Sequence, residues 1–304
     1  MTIVALDLGG TKLSAALLVD RTIRHRTVAP TAARQGPAAV TDQMVRLVQD
    51  LPGWEQAERL AVAATGRVHG GRVSALNLST MPGWTDVPLQ EELSRRVGRP
   101  VTVLNDADAA AYGEAHLGAG QGLASMMFVT VSTGVGAGIV LNGQLLQSAS
   151  GVHADFGYLR AGNGSSGHGD REDETVEDGA GEDGNTIEAL SGGRALERWT
   201  RRHGGTGGAA QLIGWAAGDA RAEARLQLAV TTLIRGFGDV RVMTGVEDVV
   251  IGGSVGLNPE FFRRLEVCAL DQPDLYRVRL RAAVLGADAG LHGAALFTQR
   301  ERSR

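Results

Sequence analysis

One unit occurs twice along this chain: an apolar run, a glycine turn and a second apolar run. The first is TIVALDLGGTKLSAALLV (residues 2–19) and the second MMFVTVSTGVGAGIVLNGQLL (residues 126–146). A short apolar run bounded by turn residues reads as a strand, so each unit predicts a hairpin. Segments of helical spacing follow both units, so the same plan opens each half. The chain is thereby held to an α/β fold of two similarly planned domains. Ligand sites are expected at the glycine turns, facing a cleft.

The remaining segments fill out that plan. TIRHRTVA (residues 22–29) alternates and adds a third antiparallel strand, and residues 38–50 have helical apolar spacing. RLAVAAT (59–65) reads as a buried strand, VPLQEELSRRV (87–97) as an amphipathic helix, and PVTVLN (100–105) as a strand. That strand runs into the alanine-rich helix DADAAAYGEAHLG (106–118). In the second half Asn142-Gly143 is a hairpin signal. IEALSGGRALERWTRR (187–202) and residues 212–243 read as helices, DVVIGG (248–253) as a strand, and DAGLHGAALFTQ (288–299) as a closing helix. The expected division is residues 1–105 plus 287–304 for the N-terminal domain and 106–286 for the C-terminal one, with an acidic loop at about 162–184.

Composition narrows the class of partner. The 304 residues carry 30 basic and 34 acidic side chains, net −4, with no basic stripe to meet nucleic acid. There is a single cysteine, Cys268, so no internal disulfide forms. No apolar run reaches the roughly 20 residues of a membrane helix, and Met1 leads straight into the first strand without a leader. A cytoplasmic protein is expected. The 43 glycines are about twice the usual share and cluster at strand ends, where they serve tight turns or close approach of backbone to a ligand.

Four motifs carry chemistry. In DLGGTK, Gly9 and Gly10 let backbone approach a phosphate, Thr11 and Lys12 add a hydroxyl and a cation, and Asp7 is placed to hold Mg²⁺, directly or through water. The GxxxxGK[ST] spacing is absent, so this is no Walker A loop; a plain hairpin turn is the alternative. STGVGAG, with Thr133, Gly134 and Gly136, has similar chemistry and the same alternative. GGSVG, with Gly252, Gly253 and Ser254, stands at a strand-to-helix junction where amides meet a nucleotide, or else is a packed loop. In NDADAAAYGEA, Asn105 and Asp106 stand between strand and helix. Asp106 is either the helix N-cap or, beside two phosphate turns, a base for a sugar hydroxyl. With a free pKa near 3.9 it would be a weak base.

These four motifs, in this order and spacing, resemble the ROK family of sugar kinases within the actin/hexokinase superfamily, and the resemblance covers nearly the whole chain. It implies two actin-like, ribonuclease H-like domains and transfer of phosphate from ATP, with Mg²⁺, to a sugar 6-hydroxyl. The implied acceptor is an N-acetylhexosamine, N-acetylmannosamine first, with glucose as the alternative; a homodimer is implied as well. It makes Asp106 the catalytic base and Asn105 a sugar contact. Gly66 and Asn77 line the sugar pocket, and Glu188 holds a sugar hydroxyl. The glycines of both turns and of GGSVG become the ATP contacts.

One stretch departs from the pattern. Where the family has GE(I/L)GH and then CxCGxxGC, whose histidine and three cysteines bind a structural zinc, this chain has HADFGY (153–158) and no cysteine. Asp155 stands for the glutamate and Tyr158 for the histidine, so both are carried over as sugar contacts only by position. A tetrahedral zinc needs four N/S ligands, so no zinc site is expected, and His153 and His168 read as solvated or pocket-edge residues. Packing of Phe156 and Tyr158 against Ile187 and Leu190 is expected to replace the clamp. Between Asp170 and Asp183 stand eight acidic residues and one Arg171, which reads as a solvated insertion without an EF-hand pattern. Family members that repress transcription carry a helix-turn-helix ahead of the first turn; only six residues precede Asp7 here. A sugar sensor without catalysis is the competing class, and the presence of Asp7, Lys12, Asn105 and Asp106 speaks against it.

Overall fold

The structure is a computed structural model describing residues 1–76, 78, 80–161 and 185–301. The first sheet is built from β1 (Thr2–Leu8), β2 (Lys12–Val19), β3 (Thr22–Pro30), β4 (Arg59–Ala64) and, beyond the short hairpin of β5 (Arg67–His69) and β6 (Arg72–Ser74), β7 (Val101–Asn105). Its order is β3-β2-β1-β4-β7. β1 and β2 pair antiparallel from Thr2↔Val19 to Leu8↔Leu13, so the turn between them is Gly9–Thr11. β4 and β7 join in parallel. Ile3, Val4, Ala5 and Leu6 of β1 are all fully buried, as expected of a strand covered on both faces. Helix α1 (Gly36–Gln49) opens with Pro37 in its first turn, where the missing N–H costs nothing. Helix α2 (Leu89–Val97) buries Leu89, Leu93 and Val97, spaced by four, and ends at Gly98 in the left-handed region (φ +64°).

The second sheet comprises β8 (Met126–Val131), β9 (Val135–Leu141), β10 (Gln144–Leu145), β11 (Asp248–Gly252) and β12 (Arg279–Ala282), in the order β10-β9-β8-β11-β12. With strands numbered afresh in each half, and β5 and β6 set aside, both sheets read 3-2-1-4-5. The twofold repeat seen in the sequence is therefore a repeat of topology. The helices of the second half are α4 (Ile187–Ser191), α5 (Gly193–Arg202), α6 (Ala209–Trp215), α7 (Ala220–Thr244) and α8 (Pro259–Leu270), after α3 (Asp106–Leu117) and before α9 (Ala289–Glu301). The single apolar pattern at residues 187–202 breaks at Gly192, whose extended ψ of 150° separates α4 from α5.

By packing, the chain falls into two units: Met1–Gly122, Gly138–His153 and Leu285–Arg304; and Leu123–Ala137 with Ala154–Val284. Against the expected break after residue 105, α3 packs within the first unit, on α9. Small residues make the reason plain: a side chain on Gly293 would collide with the Ala109 carbonyl, and one on Gly113 would come within 2.6 Å of the Ala289 carbonyl. The alanine-rich composition of α3 thus serves a close helix–helix contact. Arg300 of α9 adds a hydrogen bond to the Gly143 carbonyl at 2.9 Å. Among the described residues no helix is long and apolar enough to cross a membrane.

Candidate active site

In the first unit, chemistry gathers where β1, β4 and β7 end. Asn105 closes β7 and caps α3: its Oδ1 accepts from the backbone of Ala107 and Asp108 at 2.9 and 3.1 Å. Asp106 is the first helical residue, so the cap expected of it belongs to Asn105. The Asn105 Nδ2 donates to the Gly66 carbonyl at 2.8 Å. Gly66 has φ +102°, and a Cβ there would stand 2.5 Å from the Ser74 carbonyl, so no other residue fits. Gly66, Asn105 and Asp106 are thus brought together. Asn77 lies outside the described residues.

The Asp106 carboxyl is pushed up to about 7, first by loss of water around it and then by the negative charge of Asp7, with Asp108 adding to both. Asp7 is pushed up to about 6, again mainly by burial, against the pull of Lys12 and Arg26. Against these, the backbone N–H groups of Ala107, at 2.9 Å, and of Asp106 itself pull the Asp106 value down. The Asp106 carboxyl is therefore raised toward neutrality, well above the free value near 3.9. Gly290 of α9 lies against Asp7; a Cβ there would be 3.5 Å from its Oδ2. The first glycine turn is braced by Thr31, whose hydroxyl donates to the Gly9 carbonyl at 2.7 Å and whose N–H donates to the Thr11 carbonyl at 3.1 Å. Thr31 carried no signal in the sequence.

In the second unit, the STG turn and the GGSVG turn lie around one cavity of about 300 Å³, lined by Ser132, Thr133, Arg194, Ser254, Val255 and Asn258 among others. The N-terminus of α5 is fastened to the first of these turns: Gly193 and Arg194 N–H donate to the carbonyls of Ser132 and Thr133 at 2.8 and 2.9 Å. Gly253, at φ +84°, lies so close to the Val131 carbonyl that any side chain would collide with it. The Val255 and Gly256 N–H groups donate to that same carbonyl at 3.0 Å. Gly252 closes β11 and Gly136 lies within β9. Arg194 was missed in the sequence, although it follows a glycine pair like those of the other turns. Glu188 lies against Gly134 and accepts from the Val135 N–H at 2.7 Å through Oε2.

Two expectations about the HADFGY stretch are corrected. His153 is not solvated: its side chain is 10% exposed and its Nε2 lies 2.6 Å from Asp108 Oδ2. Phe156 and Ile187 do turn inward, both onto Gly236 of α7, and Phe156 stacks on Phe237 with ring centroids 5.3 Å apart. Tyr158 instead is 37% exposed. Asp155 is half-buried ahead of a short 3-10 turn. Past that turn the chain is tied by backbone. Arg160 and Thr186 form an antiparallel bridge, Ala161 N–H donates to Asn185 at 2.9 Å, and Ile187 N–H donates to Leu159 at 3.0 Å. The acidic loop and His168 lie outside the described residues. Among those described, no group of three or more His, Cys, Asp and Glu is placed to hold a metal ion.

Two α/β halves of one topology, each with glycine turns at strand ends and one with a carboxylate at a strand–helix junction, define the actin-like class. The chain belongs to the ROK family, whose profile matches residues 3–301. It is 37% identical over 306 residues to an N-acetylmannosamine kinase of Escherichia coli, covering 99% of this chain and all of that one. A ROK hexokinase from Thermus thermophilus shares 31% identity and superposes with a TM-score of 0.79 over 99% of this chain and all of the other. A ROK family glucokinase from Streptomyces griseus, solved with glucose and AMPPNP, has 25% identity and a TM-score of 0.76 over the same shares.

Proposed function

We propose that this protein is an ATP-dependent kinase that phosphorylates the 6-hydroxyl of an N-acetylhexosamine, N-acetylmannosamine first. The observation that carries the reading is Asp106, a carboxylate raised to about 7 at the head of α3 and oriented by the Asn105 cap. Its task is to take the proton of the sugar hydroxyl as that oxygen bonds to the γ-phosphorus. The bond from phosphorus to the ADP oxygen breaks, and the proton then passes to water. Because the transition state is loose, positioning counts for more than basicity. Full-length identity to N-acetylmannosamine kinase supports the choice of sugar.

The residues fit a nucleotide and a magnesium ion. The cavity beside Thr133 and Ser254 is bounded by turns that admit only glycine at Gly253, which suits close approach to a nucleotide. Magnesium is held by one or two carboxylates together with substrate phosphates, and Asp7 is a carboxylate whose burial a cation would offset. When bound, the ion supplies charge neutralisation across the phosphates. Lys12 and the first glycine turn add the protein's own cation and amides. No zinc is required in this reading, and the chain is taken to work as a homodimer in the cytoplasm.

A second sugar is favoured by a specific observation: the hexokinase and glucokinase structures match the whole chain. A coupled assay of ADP release over about ten hexoses and N-acetylhexosamines decides. Highest kcat/KM with N-acetylmannosamine supports the proposal; preference for glucose replaces it with a glucokinase. Sugar binding without ADP release from any sugar makes the protein a sensor.

A further inference from the structure

Asp108 and His153 are joined at 2.6 Å, 45 residues apart in sequence, with side chains only 4% and 10% exposed. Neither belongs to the residues assigned above. Asp108 lies in the first turn of α3, and its N–H is held by the same Asn105 Oδ1 that caps the helix around Asp106. A carboxylate so enclosed is costly unless it is paired, and here the partner is an imidazole. His153 directly precedes Ala154, whose φ of +53° puts an alanine in the left-handed region. That conformation is unfavourable for an L-residue and persists only where neighbours enforce it. On the far side, Phe156 N–H donates to the Ala154 carbonyl at 2.7 Å and its ring is buried. The two side chains thus fix both the head of α3 and the residue at which the chain enters its strained turn.

We propose that the Asp108–His153 pair is a positioning device for the base: it balances the charge two residues along the helix from Asp106 and holds that turn of α3 in place. The proposal rests on the kinase reading only for the role of Asp106. The charged groups that act on the Asp106 carboxyl are Asp7 from β1 and Asp108 from α3 itself. Of these, Asp108 is paired with a histidine. With His153 protonated the pair is neutral overall; loss of either member changes the net charge beside the base by one.

The test uses the whole enzyme, and its two single variants have opposite signs. Asp108→Asn removes a negative charge and lowers the pH midpoint of kcat/KM by roughly 0.5–1 unit, while His153→Gln removes the compensating charge and raises it by a similar amount. The double variant returns the midpoint to near that of the parent, and KM for ATP changes less than about twofold in all three. Opposite shifts with restoration in the double variant support the proposal. Equal losses of activity with an unmoved midpoint mean a packing contact and overturn it. Where a single variant fails to fold, the charge-balanced double variant supplies the comparison with the parent, and a midpoint displaced in it overturns the proposal. If no sugar is phosphorylated the kinase reading fails, and NMR titration of the His153 ring still judges the pair. A lower midpoint in Asp108→Asn supports the pair, and an unchanged one overturns it.

Discussion

Asn105 links two turns with one side chain, donating to the Gly66 carbonyl at 2.8 Å while its own carbonyl caps α3. Asp106 is the next residue, so the direction of its carboxyl is set by that link. Replacing Asn105 with alanine removes the cap, worth about 1 kcal/mol, and frees the Gly66 turn. A lowered melting temperature and a kcat reduced at least tenfold are expected. A lowered melting temperature with unchanged kcat would make Asn105 a cap and nothing more.

Asp106→Asn should lower kcat by roughly 10²–10⁴, the usual worth of a general base. The helix keeps its cap, because Asn105 and not Asp106 supplies it. Circular dichroism and nucleotide affinity should therefore match the parent, and a variant with more than about half the parental kcat removes Asp106 from the chemistry. In the parent, kcat/KM should rise with pH through a midpoint near 7, the value to which Asp106 is raised.

Stability of the ligand-free protein should fall as pH rises. Asp106 and Asp7 have folded values of about 7 and about 6, above the value of about 3.9 for an unfolded aspartate. Between pH 4 and 7 the folded chain thus binds more protons than the unfolded one, and the favourable contribution is lost as pH climbs through that window. Asp106→Asn should abolish its share of the dependence. At pH 8 it should raise stability by about 1–2 kcal/mol, roughly 2–8 °C in a domain of this size, and at pH 4 change it little. Melting curves at both pH values check this; an equal gain at both would show that the charge is not what costs stability.

Gly253→Ala places a methyl group against the Val131 carbonyl at a φ of +84°. The turn has to shift, and with it Ser254 at the rim of the cavity. KM for ATP should rise about tenfold or more while KM for sugar changes little. A rise in the sugar KM instead would place the nucleotide elsewhere.

Backbone ties join Leu159–Ala161 to Asn185–Ile187, the residues on either side of the acidic segment. Deleting residues 165–181 shortens the stretch between these ties to about a quarter, which by loop-closure entropy changes stability by only about 1 kcal/mol, so the melting temperature should shift by a few degrees at most. Metal analysis should find far less than one zinc per chain, and activity lost to EDTA should return with magnesium alone. Stoichiometric zinc would mean that ligands come from outside the described residues.

Much of this architecture was legible because its signals are local. Apolar runs that end at glycine-containing turns gave both hairpins, and the four-residue spacing of Leu89, Leu93 and Val97 gave α2. What escaped was short or non-local. β5 and β6 have three residues each, too few for any period to show. β12, RLRA, has no fully buried residue at all. Asp108 and His153 meet across 45 residues, and nothing in either segment announces the other. The raised value of Asp106 could not be read either, because it comes from enclosure and from Asp7, a hundred residues away.

The most direct test of phosphoryl transfer with Asp106 as the base is the movement of labelled γ-phosphate from ATP to a sugar, followed side by side for the parent and Asp106→Asn at pH 7.5 with magnesium. The expected result is label on the 6-position of N-acetylmannosamine with the parent and at least a hundredfold slower labelling with the variant. Label that stays on ATP, or that reaches the sugar equally fast with both proteins, would contradict it.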